Sequence, residues 1–214
     1  MSIASNISDL KKELPEAVTL VAVSKTKPVE LILEAYNSGQ RDFGENRVQE
    51  IVPKYEALPK DIRWHLIGHL QTNKVKYIAP FVYLIHSVDS EYLLAEINKQ
   101  AAKNNRIIPV LLQLFIAKEE TKFGFSFEEA EALISASPGI KYPNIRIEGL
   151  MGMATSTKDQ TQIHTEFKSL RDFFVRIQDS KLKVLSMGMS SDWKIAVEEG
   201  STMIRVGSSI FGER

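Results

Sequence analysis

The stretch Leu20-Val21-Ala22-Val23-Ser24-Lys25-Thr26-Lys27-Pro28 joins an apolar, β-branched run to a lysine and then to a proline. The run reads as a buried strand, and Pro28 suits the first position of a following helix. A strand passing directly into a helix is the repeating unit of an α/β fold with a parallel sheet. In a barrel of such units the C-terminal ends of the strands carry the chemistry, so Lys25 stands where a Schiff-base amine belongs.

The same alternation recurs along the chain. Apolar or β-branched runs at residues 20–24, 42–44, 64–68, 83–86, 109–114, 146–151, 184–187 and 203–206 predict eight strands. Helices are predicted between them. Val29, Ile32, Leu33 and Tyr36 share one face after Pro28, and Gly39 ends it; Leu93, Leu94, Ile97 and Ala101 follow Asp89. Ser126 and Glu129 form a capping box ahead of Ala130, Leu133 and Ile134. The longest helix should follow Thr157-Lys158-Asp159-Gln160, with Ile163, Phe167, Leu170, Phe174 and Ile177 at helical spacing.

Eight strands with interposed helices predict an α/β fold, a single closed TIM-type (β/α)₈ barrel. The last helix is missing from its usual place, because Arg214 lies eight residues beyond the last expected strand. An N-terminal helix bearing Ile3, Ile7, Leu10 and Leu14 is expected to complete the outer ring. The rival is an open doubly wound sheet, but no G-x-G-x-x-G follows any strand. With no repeat, low-complexity tract or linker, one domain over 1–214 is expected.

Composition narrows the partners. The chain has 214 residues, of which 43% are apolar, enough for a sizeable core. Lys+Arg 27 balances Asp+Glu 27, so no net basic field favours nucleic acid. The absence of cysteine removes disulfides, thiolate catalysis and cysteine-ligated metals. The N-terminus has no signal-peptide pattern, and no apolar stretch approaches bilayer length, so a cytoplasmic protein without a membrane anchor is expected.

The expected strand ends offer Ser24 and Lys25; Glu45 and Asn46; His69; Gly152 to Thr155; Gly188, Ser190 and Ser191; and Arg205, Gly207, Ser208 and Ser209. Small and hydroxyl residues after strands seven and eight suit a phosphate cradle, a place barrels often use for one; they also suit plain turns and a helix cap before Trp193. Lys25 is either a solvated lysine or an amine activated by desolvation and a neighbouring cation such as Lys27 or Arg205. Arg205 is either an ion-pair partner for a carboxylate such as Glu45 or a guanidinium facing a cofactor ring, where it disfavours a protonated pyridine nitrogen. His65 and His69 have the spacing of helix-borne metal ligands, but the segment reads as strand and no H-E-x-x-H is present, so no metal site is assigned. His86 reads as a polar strand end and His164 as a helix-surface residue. Phe167, Phe173 and Phe174 read as core, and Glu128, Glu129 and Glu131 as a solvated helix face.

The segments AVSKTKP (22–28), FGENRVQE (43–50), WHLIGHLQTNK (64–74), KFGF (122–125), EGLMGMA (148–154), LSMGMSSDW (185–193) and GSTMIRVGSSIFGER (200–214) together span nearly the whole chain. In them the chain resembles the pyridoxal phosphate homeostasis proteins, the YggS/PROSC type, whose fold is similar to the N-terminal barrel domain of alanine racemase. The resemblance implies pyridoxal 5′-phosphate held as a Lys25 aldimine, with its phosphate near Ser190, Gly207 and Ser208, Arg205 toward the pyridine nitrogen, and Asn46 lining the pocket. Two departures stand out: Ser208 where threonine is usual, and Leu114-Phe115-Ile116 where a more polar stretch is usual.

The expected function is a carrier: the chain holds pyridoxal phosphate, takes part in intracellular vitamin B6 homeostasis and passes the cofactor to apo-enzymes without turnover, with no residue assigned as catalytic. The alternative is a pyridoxal phosphate-dependent amino-acid racemase. Racemisation needs an acid/base on each face of the substrate Cα. Lys25 suits one face. The opposite base of alanine racemase-like enzymes is a tyrosine associated with a second, β-rich domain, for which no room is expected after Arg214; a monomer is expected for the same reason. A third class is a sugar-phosphate barrel enzyme using the serine and glycine cradle alone.

Overall fold

The computed structural model describes residues 2–118, 123–136, 138–177 and 182–212. Lys122 of the KFGF motif and the last two residues of the C-terminal motif lie outside the described residues. In chain order the elements are α1 (Ile3–Glu13), β1 (Thr19–Val23), α2 (Val29–Asn37), β2 (Asp42–Glu45), α3 (Val48–Ala57), β3 (Arg63–Leu66), a 3₁₀ turn (Thr72–Lys74) running into α4 (Val75–Ile78), β4 (Leu84–Val88) and α5 (Glu91–Lys103). Then come β5 (Ile108–Gln113), α6 (Phe127–Ser135), α7 (Pro138–Lys141), β6 (Ile145–Met151), α8 (Gln160–Arg176), β7 (Val184–Ser186), α9 (Trp193–Glu198), β8 (Met203–Val206) and α10 (Ser208–Phe211).

The strands pair in parallel, each with its sequence neighbour, and β1 closes on β8 through Thr19 to Met203 and Val21 to Arg205. This is the expected closed (β/α)₈ barrel. α1 supplies the missing piece of the ring: its Ile3, Ile7 and Leu10 are buried, and Asn6 Nδ2 donates to the Ile210 carbonyl of α10 at 2.9 Å. Ser2 caps α1 by accepting from Ser5 N.

Local signals placed most boundaries well. The Ser126 and Glu129 capping box forms reciprocally at the start of α6, and the 17-residue α8 is capped by Asp159. Gly39, at φ 94°, follows the last turn of α2 in the left-handed region where glycine carries no Cβ penalty. Pro28 stands one position earlier than expected. Its extended ψ of 162° makes it the cap that precedes α2.

Side chains alternate across each strand. Phe43, Trp64, Ile85, Val110, Leu112, Leu150, Leu185 and Ile204 are buried in one continuous apolar cluster shared with the helices. Phe167 and Phe173 join it, as expected, with Phe174 packed at its edge. The opposite side of the strands forms a separate, smaller apolar group of Val21, Leu84, Leu111, Met151 and Met203, which fills part of the barrel interior. Five further interior positions are polar: Asp42, His65, His86, Ser186 and Arg205, all buried.

β4 corrects one expectation. It starts at Leu84 rather than Tyr83 and runs on to Val88, so His86 is a mid-strand residue with no exposed surface rather than a strand-end one. His164 does lie on the α8 surface, against Glu199 at 2.9 Å.

Candidate functional site

A cavity of about 500 Å³ opens at the C-terminal ends of the strands. Its lining includes Lys25, Asn46, Ser190, Arg205, Gly207 and Ser208, so the side chains proposed from sequence share one space. Val23, Ile67, Met153 and Met189 give it apolar walls. The volume falls in the range of small-molecule sites. Leu114, Phe115 and Ile116 are absent from its lining; Ile116 packs instead where a side chain on Gly152 would go.

Lys25 is held from below by a buried ionic cluster that sequence reading missed. Ser24 Oγ donates to Glu45 Oε1 at 2.7 Å, and Lys54 Nζ from α3 donates to the same oxygen at 2.7 Å and to the Ser24 carbonyl at 2.9 Å. Burial pushes the Glu45 carboxyl up from its ordinary range, against the lowering effect of Lys54 and Ser24. Thr26, at φ 63°, donates its amide to Glu50 Oε2 at 2.6 Å. These bonds fix the strand end and its turn, leaving the half-buried Lys25 side chain in the cavity wall. A lysine on the apolar stripe of α3, one turn after Ile51, was the available signal for Lys54.

The two serine and glycine turns are tied together. Gly207 N donates to Ser190 Oγ at 3.1 Å, which leaves the Ser190 O–H free to donate elsewhere. Asp192 Oδ1 accepts from Met189 N at 2.6 Å and fixes the turn after β7. A Cβ on Gly207 would meet the Val23 carbonyl at 3.1 Å, so the residue's smallness is used for close packing against β1. α10 starts at Ser208, and Ile210 N makes its first bond to the Gly207 carbonyl, so the preceding amides have no intrahelical partner. Lys27 Nζ caps the far end of α10 through the carbonyls of Phe211 and Gly212, at 3.2 and 3.0 Å.

Arg205 does not pair with Glu45. Its guanidinium donates to Ser186 Oγ at 2.6 Å and to the Gly152 carbonyl at 3.2 Å. Burial pushes it down to about 10, with the charge of Asp192 acting the other way, so it remains a cation at neutral pH. His65 and His69 diverge: His65 lies inside the barrel against Asp42, while His69 is exposed and meets Asp89 at 3.1 Å. Among the described residues, no group of three or more His, Asp or Glu side chains is placed to hold a metal ion.

Comparison with known proteins adds the lineage. Residues 1–214 match the alanine racemase N-terminal domain family. The pyridoxal phosphate homeostasis protein of Aquifex aeolicus is 44% identical over 91% of this chain and 86% of its own length. That of Schizosaccharomyces pombe is 40% identical over 92% and 84%. PipY of Synechococcus elongatus, solved without and with PLP bound, is 38% identical, with TM-scores of 0.93 and 0.89 over 99% of this chain and all of that one. Alanine racemase from E. faecalis shares the fold at a TM-score of 0.78 and 18% identity, with 58% of its length covered. The barrel, the motifs and these relatives agree: the chain belongs to the pyridoxal phosphate homeostasis protein family, built on the alanine racemase N-terminal domain.

Proposed function

We propose that this chain, as one barrel domain over residues 1–214, binds pyridoxal 5′-phosphate in the mouth cavity and holds it for delivery to apo-enzymes rather than for turnover. The observation that carries this reading is the single cavity in which a primary amine, a buried guanidinium and two linked serine and glycine turns face one another. That donor set fits the group: an aldehyde, a pyridine ring and a phosphate dianion each meet a matching partner. When bound, the cofactor supplies an aldehyde carbon that a primary amine can attack reversibly.

In this reading Lys25 is the attaching amine. Ser190, Gly207 and Ser208 hold the phosphate with hydroxyl and amide donors. Arg205 meets the ring nitrogen as a permanent donor and keeps it unprotonated, which weakens its pull on electrons. Asn46 lines the wall beside Lys25. Among the described residues the titratable side chains of the cavity lining are Lys25, Lys27 and Arg205, all basic, with no carboxylate, imidazole or phenol. Racemisation needs a second acid/base opposite the lysine, so this composition favours a carrier over a racemase.

A monomeric state and residence in the cytoplasm belong to the same reading; among the described residues no helix is long and apolar enough to cross a membrane. The test is the visible absorption of the purified protein with added pyridoxal phosphate, beside Lys25→Ala, followed by borohydride trapping and peptide mapping. A chromophore trapped on Lys25 and lost in the variant supports the reading; an undiminished covalent chromophore in Lys25→Ala moves the attachment to another lysine, Lys27 first. Transfer to an apo-enzyme without racemisation of free amino acids then separates carrier from enzyme.

A further inference from the structure

Five polar side chains from five strands form a continuous hydrogen-bonded chain through the barrel interior. Asp42 Oδ1 lies 3.0 Å from His65 Nε2, His65 Nδ1 lies 2.9 Å from His86 Nε2, and His86 Nδ1 lies 3.1 Å from Ser186 Oγ. Ser186 Oγ in turn accepts from Arg205 at 2.6 Å. The link from His86 on β4 to Ser186 on β7 crosses the lumen, since these strands are not neighbours in the barrel.

With the Asp42 carboxylate ionised and both imidazoles neutral, the donors and acceptors admit one consistent assignment. Arg205 only donates, so the Ser186 oxygen accepts from it; the carboxylate only accepts, which puts the protons of both neutral rings on Nε2 and sends the Ser186 proton to His86 Nδ1. His86 must then carry its own proton on Nε2 and give it to His65 Nδ1. His65 likewise carries its proton on Nε2, and the Asp42 carboxylate accepts it. In that assignment every bond points the same way, from the cation at the mouth to the anion at the opposite end. Burial, with the Arg205 charge acting the same way, holds His86 well below its ordinary value, in keeping with a neutral His86 ring. Burial raises Asp42, but the bonds from His65 and Arg63 outweigh it and keep the carboxyl below its ordinary value.

We propose that Ser186, His86, His65 and Asp42 are positioning residues for Arg205, a one-directional relay that fixes the guanidinium at the mouth of the barrel by anchoring it to a carboxylate at the floor. Arg63 locks the far end, donating to both Asp42 oxygens at 2.7 and 2.5 Å, and it lines a second cavity of about 560 Å³ at the N-terminal ends of the strands. The relay spends one guanidinium N–H on Ser186 and leaves the others to Gly152 and the cavity. Aligned bonds polarise one another, so the Asp42 charge strengthens the hold on Arg205 without standing next to it. The consequence for a bound ring rests on the function proposed above; the relay itself does not.

Nitrogen-resolved NMR of the histidine rings in the ligand-free protein tests the relay directly. Both His65 and His86 are expected neutral with the proton on Nε2 at neutral pH, and Ser186→Ala should shift the His86 Nδ1 resonance. A cationic ring, or a proton on Nδ1 of either, overturns the assignment. The positioning role is tested by adding pyridoxal phosphate to the wild type, His86→Phe and His86→Gln. His86→Phe should release it about fivefold faster, the worth of roughly one hydrogen bond, with a displaced pH midpoint of the chromophore. His86→Gln, which keeps a donor and an acceptor, should recover most of both. Unchanged release and midpoint in His86→Phe overturn the positioning role, and Ser186→Ala carries the same comparison if His86→Phe does not fold. A wild type that takes up no pyridoxal phosphate refutes the functional reading alone; the histidine spectrum still decides the relay.

Discussion

The two faces of the barrel strands are built on opposite rules. Outward positions such as Phe43, Trp64, Ile85, Leu185 and Ile204 merge with the helices into one apolar cluster. Their inward neighbours along the same strands, Asp42, His65, His86, Ser186 and Arg205, are equally buried but polar and joined by hydrogen bonds. The outer layer is stabilised by burial of area, which is non-directional and tolerant of substitution by other apolar residues of similar volume. The inner chain is directional, so each member constrains the proton position of the next. Stability thus lies mainly outside the strands and orientation of the site inside them.

That division makes predictions of graded size. Trp64→Ala should have the largest effect on stability, about 3–5 kcal/mol lost to a cavity in the outer layer, read by denaturant unfolding. If the division holds, the histidine resonances of the folded fraction keep their wild-type pattern. Lys54→Met should cost about 3 kcal/mol, because it leaves Glu45 buried without its cation. It should also loosen the strand end that carries Lys25, seen as faster amide exchange at Lys25 and Thr26.

His86→Phe should cost less, about 1–3 kcal/mol from the polar partners left unsatisfied, and it should change the pH dependence. In the wild type the folded state resists protonation of His86, so the unfolded chain takes the proton first below about pH 6.5 and stability falls as pH falls. Asp42, lowered in the folded state, adds a further loss as pH drops through the carboxylate range. His86→Phe should flatten the upper part of that acid limb and leave the lower part. A limb identical to the wild type would put the titration elsewhere. Ser126→Ala is expected to be the smallest, about 1 kcal/mol from the loss of one helix cap, with no effect on either face of the strands.

Much of this was legible in the residues themselves. Periodicity, the Ser126 capping box, Gly39 and the strand-to-helix junction at Lys25 are local features, and the structure keeps them as helix starts, stops and strand ends. The amphipathic stripe of Ile3, Ile7 and Leu10 likewise foretold a helix in need of a partner. His86 was misread because a polar residue within an apolar run looks like a boundary when the interior of the barrel is assumed to be apolar. Lys54 and Ser186 were missed because their partners lie 9 and 19 residues away or more, on other elements.

The sequence by itself determined the order of strands and helices, the barrel they suit and the family, because those depend on local pattern and on motifs that survive as strings of residues. Only the tertiary structure decided that Arg205 turns to Ser186 rather than Glu45, that His65 parts from His69 and joins His86, and that the mouth and the floor share one hydrogen-bonded chain. Those choices depend on which inward positions meet across the lumen of a closed, staggered barrel. That is set by the register of all the strands together, and no single segment carries it.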